Sequence, residues 1–163
     1  MGWWSCEIMG GDTPYGYVDM IVEMLEIEDN DEKELFEIDA NLLTEHQEKI
    51  IKTFQKTEDI EDLQIALQVL AYIMMFNGAQ IKNSCKIKML EAVEEDEWAK
   101  TSQERKKEII KFYSILEKYD GSEPIELEHK GFLQTLSEKI DKKIAEDPFP
   151  GLEIEKEKED LDL

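Results

Sequence analysis

The chain has 163 residues, 41% of them hydrophobic and 36% charged, which is the size of one ordinary domain and too apolar for a disordered polymer. Its 40 acids against 19 lysines and arginines give a net charge of −21, which argues against direct contact with nucleic acid or an anionic membrane and for attraction to a basic protein. Two cysteines far apart with no CxxC pairing, Cys6 and Cys85, read as reduced thiols and not as a disulfide framework.

The charge is unevenly spread. Residues 1–45 hold thirteen acids and one base, Lys33; residues 78–122 balance nine acids with nine bases; residues 146–163 hold eight acids and two lysines. The start, Met1-Gly2-Trp3-Trp4-Ser5, lacks the basic region of a secretory signal, Cys6 stands where a myristoylation signal needs Ser or Thr, and the apolar stretch 63–76 is too short to span a bilayer. The expected location is the cytoplasm.

In chain order, Gly10-Gly11 permits a turn into a first helix capped by Asp12 or Thr13, with Pro14 in its first turn, expected over residues 15–26 with Val18, Ile21, Val22 and Leu25 inward. Residues 28–39 read as a solvated acidic loop ending in a buried connector with Leu35, Phe36 and Ile38. Thr44-Glu45-His46-Gln47 has the form of a capping box, which predicts a helix over 45–56. Asp59 then caps a helix over 60–77 whose stripe of Ile60, Leu63, Leu67, Leu70 and Met74 is widened by Ala66, Val69, Ile73 and Phe76. So apolar a helix belongs at the centre of a core, and Asn77-Gly78 closes it.

A further helix is expected over 80–91, then a charged corner at Glu94-Glu95-Asp96-Glu97-Trp98, then a helix over 102–119 burying Ile109, Tyr113 and Leu116, with Ile110 and Phe112 at its margins. A last helix is expected over 131–145, stopped by Pro148 and Pro150. The fold class is all-α, a compact bundle of five to six helices. Residues 1–145 form a single helical domain and 146–163 an acidic tail, expected to be mobile.

No catalytic residue set and no cofactor or metal site stands out. Asp29-Asn30-Asp31 opens like a calcium loop, but Glu34 replaces the turn glycine and Ala40 the bidentate glutamate. His46 and His129 have no cysteine or acid at ligand spacing. The basic run Arg105-Lys106-Lys107 with Lys111 is flanked by Glu104 and Glu108, which suits an intramolecular or dimer contact better than nucleic acid.

The opening Met1-Gly2-Trp3-Trp4-Ser5-Cys6-Glu7-Ile8-Met9-Gly10-Gly11-Asp12-Thr13-Pro14 resembles that of a bacterial and phage family of small proteins, the DUF4259 type, and the resemblance extends to about residue 120. It departs from the family pattern at Trp4-Ser5, where the family has Trp-Gly, and at Met9-Gly10-Gly11-Asp12, where it has Phe-x-Asn-Asp. The resemblance implies a bacterial or phage setting and a helical domain, and carries no activity to any residue. Within the opening, Trp3, Trp4, Gly10, Gly11, Asp12 and Pro14 form the motif, with the tryptophans expected to pin it onto the core.

The leading functional expectation is a non-enzymatic module that binds a basic protein through Glu23, Glu26, Glu28, Asp29, Asp31, Glu32 and Glu34. Its sharpest form is an inhibitor, immunity factor or phage anti-defence protein that mimics DNA charge. The alternatives are a small enzyme using Cys6 or Asp12 between Trp3 and Trp4, and a structural homo-oligomer joining the 105–111 face to the acidic N-terminal region.

Overall fold

Spacing of apolar residues at three and four becomes five α-helices and one 3-10 turn in the computed structural model, which describes residues 3, 5–27, 36–121, 123–125 and 127. They are α1 (Asp12–Met24), α2 (Ala40–Phe54), α3 (Ile60–Phe76), α4 (Asn83–Glu94), the 3-10 turn Trp98–Lys100 and α5 (Gln103–Lys118). No strand occurs among the described residues, so the fold is all-α. These residues lie in one compact unit, Met1–His129. The expected last helix, the acidic tail and the boundary between residues 145 and 146 lie outside the described residues.

The centre is α3. Residues 64–75 are buried without interruption, and α1, α2 and α4 pack around the helix. At its start the Asp59 carboxylate accepts from Asp62 N–H, and at its end Gly78 takes φ +72, a conformation that favours glycine. Ile60, expected in the buried stripe, is 59% exposed, in a first turn where Glu61 is exposed as well. Asn77 fastens the α1–α2 connector to this end: its amide donates to Phe36 O and Ile73 O and accepts from Ile38 N–H. Phe36 then meets Tyr15, Tyr72 and Phe76 in one aromatic cluster.

Three helix starts differ from the sequence expectation. α1 begins at Asp12, with Gly11 as N-cap and no side-chain cap, so Asp12 is a first-turn acid and not the cap. α2 begins five residues early because the Asp39 carboxylate accepts from Asn41 N–H and Leu42 N–H. The supposed capping box is thus inside the helix. Thr44 donates to Ala40 O and accepts from Gln80 N–H, while fully buried Gln47 donates to Thr44 O and Gln80 O and accepts from Lys82 N–H. With the amides of residues 80 and 82 committed to α2, α4 starts at Asn83 and runs on to Glu94.

α5 matches its expected bounds closely, with Ser102 accepting from Arg105 N–H. Its inward face is rotated from the expected one: Phe112 is buried where Tyr113 was expected, and Ile110 is 60% exposed. The far end is fixed by Lys86, which donates to Glu117 O and Tyr119 O, and by the Tyr119 hydroxyl, which donates to Ala79 O at 2.6 Å.

Gln47→Ala would leave Gln80 O and Lys82 N–H without their partner in a part-buried site and open a space where the fully buried Gln47 side chain stood. We expect urea unfolding to show a loss of about 2–3 kcal/mol, against about 1 kcal/mol for Asp39→Ala at the helix cap. Equal losses would contradict the assigned roles.

Candidate functional site

The polar centre of the molecule is Arg105, whose side chain is fully buried. Ser102 starts α5 so that the third helical residue points back under the 3-10 turn, where Asp96 is also buried. Arg105 donates through Nε and Nη2 to the two Asp96 oxygens at 3.4 and 3.0 Å, through Nη2 to Gln68 Oε1 at 2.8 Å, and through Nη1 to Cys6 O and Glu7 O at 3.0 and 3.2 Å. All five guanidinium N–H groups therefore have an acceptor. Asp96 also accepts from Ala99 N–H and from the Gln68 amide.

The guanidinium lies 4.6 Å from the Trp98 ring centre and 5.6 Å from that of Trp3, and the two rings are 4.8 Å apart. Trp3 is paired with Gly11 in an isolated bridge, and Ser5 N–H donates to Gly10 O, so Trp3 and residues 5–11 close over Arg105. Both glycines are needed for space: a Cβ on Gly11 would come within 2.8 Å of the Trp3 ring, and one on Gly10 within 2.7 Å of Ser5 O. Ile8 and Met9 are buried by this closure. Pro14 is buried in the first turn of α1, Asp12 is exposed, and Trp4 lies outside the described residues.

A cluster so saturated holds structure and offers no reactive group. Burial pushes the Asp96 carboxyl up, but the hydrogen bond and charge of Arg105, with Gln68 and Ala99 N–H, outweigh it and bring it below its ordinary value. The Cys6 thiol is pushed up by burial and by the Glu104 carboxylate, 3.8 Å away, the opposite of what activates a nucleophile. A cavity of about 210 Å³ beside Glu7 and Ile8 has Tyr72 in its wall, whose hydroxyl is pushed up by burial and held protonated. Among the described residues no group of three or more His, Cys, Asp or Glu could hold a metal ion, and no helix is long and apolar enough to cross a membrane.

The acidic residues picked from sequence are only partly in view. Glu23 and Glu26 are exposed on and just after α1, while Glu28, Asp29, Asp31, Glu32 and Glu34 lie outside the described residues. The structure joins Asp12 and Asp19 to Glu23 on one acidic face. Asp12, Asp19 and Glu23 share the outer face of α1 with Gly16 and the 40%-exposed Met20, opposite buried Val18 and Ile21. Asp59 and Asp62 at the start of α3 approach this helix near Tyr17, whose hydroxyl is pushed up by burial and then by those two charges. The helical spacing of 12, 16, 19 and 23 was a signal that could have found this face. The basic face is correspondingly smaller than expected, because Arg105 is inside; Lys106, Lys107 and Lys111 remain exposed.

No family model, no curated protein and no solved structure matches the chain.

Asp96 has its folded-state carboxyl below the unfolded value, so its contribution is present above the ordinary carboxylate range and is lost as pH falls through and below about 4. Asp96→Asn leaves a buried guanidinium without its counter-charge, and should cost about 3–5 kcal/mol at pH 7 in urea unfolding. That difference should narrow as the pH falls below the ordinary carboxylate range and the native carboxyl takes up its proton. A difference constant with pH would contradict the buried pair.

Proposed function

We propose that this chain works as a cytoplasmic, non-enzymatic module that binds a basic protein partner through its acidic N-terminal region, in the manner of an inhibitor that covers a nucleic-acid-handling surface. The observation that carries the reading is the outer face of α1, where Asp12, Asp19 and Glu23 are exposed on a helix without any lysine or arginine. Unpaired charges of one sign on a rigid helix keep their field, which steers a partner of opposite sign and is screened by salt. The resemblance of the opening to the DUF4259 type belongs to the same proposal and suggests a bacterial or phage setting.

The enzyme alternative loses its support from these residues. Trp3 is engaged with Arg105 and Trp98, the Cys6 thiol is held protonated, and Asp12 lies on an exposed turn.

Affinity capture from the native host's lysate, at low and at raised salt, tests the proposal. Charge reversal of Asp19, Glu23, Glu28, Asp29, Asp31 and Glu32 should remove a basic protein that the wild type retains at low salt, while the helical circular-dichroism signal stays unchanged. Capture of the same proteins by both forms, or no basic protein at either salt, would refute it.

A further inference from the structure

Between the end of α4, the 3-10 turn and residues 103–113 of α5 lies a cavity of about 410 Å³, within the size range of small-molecule sites. Ala99, Ile109, Ile110 and Tyr113 supply its apolar surface. Its charged groups are of both signs. Lys100 is already held by Glu97 at 2.8 Å, and Asp96 by Arg105 and Gln68, which leaves Glu94 and Lys106. Neither of these side chains has an ion pair or hydrogen bond among the described residues.

Their positions run against what the helices favour. Glu94 is the last residue of α4, where the helix end is partially negative, and Lys106 is the fourth residue of α5, near the partially positive start of that helix. Helix stability therefore does not account for an acid at the one place and a base at the other. What the arrangement does provide is an acidic and a basic contact on either helix, joined by an apolar floor.

Beyond the protein-binding role, we propose that this cavity binds a small apolar zwitterion, a free aromatic or branched-chain amino acid, with its ammonium at Glu94, its carboxylate at Lys106 and its side chain on Ile109, Ile110 and Tyr113. A ligand of zero net charge is not repelled by a chain of −21, whereas a simple carboxylate is. Gln103, exposed and also in the lining, offers an amide that can serve either end of the ligand.

The test is a titration of the full chain with L-phenylalanine, followed by amide chemical shifts, with 3-phenylpropionate and phenethylamine as ligands that carry only one of the two charges. Saturable shifts confined to the residues around Ala99, Gln103, Ile110 and Tyr113 are expected. Each singly charged compound, and each of the exposed-site variants Glu94→Gln and Lys106→Gln, should bind about tenfold more weakly, a difference of about 1.4 kcal/mol. Circular dichroism of the variants shows that the fold is kept. No saturable shift up to about 10 mM, a range that would detect millimolar affinity, overturns the proposal; so does binding of the singly charged compounds, or of either variant, as tight as the parent pair.

Discussion

A fully buried guanidinium is the constraint from which the rest of this structure follows. Removing a charge from water costs several kcal/mol, and the fold offsets that cost only if every donor is satisfied and a counter-charge is at hand. Arg105 needs five acceptors, and it draws them from residues distant in sequence: Gln68 on α3, Asp96 at the corner after α4, and the carbonyls of Cys6 and Glu7. Lysine could not make this set, since it has three donors on a point charge and no planar face to lie against Trp98 and Trp3. The ion pair thus acts less as a source of stability than as a device of specificity. It sets where the N-terminal segment, the central helix and the 94–102 corner must meet.

The same arrangement explains how a chain of −21 keeps a compact centre. Self-repulsion among surface acids opposes compaction, and among the described residues the opposing term is concentrated in α3, buried from residue 64 to residue 75. The two glutamines in that run do not weaken it, because Gln64 donates to Glu95 O and accepts from Glu97 N–H, and Gln68 joins the Arg105 cluster. Both bind the turn that follows α4, so the polar residues of the core and the charged corner fix one another.

Much of this was legible in the sequence where a single helix face carries the signal. The central helix with its Asp59 cap, and the Ser102-to-Lys118 helix, follow from periodicity and local caps, which act within a few residues. The start of α4 was not legible, because Thr44 and Gln47 spend their side chains on residues 80 and 82, a pairing that no local rule encodes, whereas the start of α2 was hidden by Thr44-Glu45-His46-Gln47, which imitates a capping box inside a helix that Asp39 caps. The candidate site was the least legible part. Arg105 looks like the first residue of a basic surface run and Asp96 like one of four consecutive acids, and composition cannot tell that these two leave their runs for the interior. The one hint was Trp98, a large aromatic inside a charged corner.

The molecule pairs a hydrogen-bonded, buried polar centre with a charged exterior. The N-terminal segment owes its placement to Arg105, and α1, which begins where that segment ends, carries the acidic face outward. The most direct measurement is hydrogen exchange of the Ser5 and Gly10 amides in Arg105→Met compared with wild type. If Arg105 holds the segment, protection at these two amides falls toward that of an open loop while the α3 amides stay protected. Unchanged protection at Ser5 and Gly10 in a folded variant would contradict the central role given to the buried guanidinium.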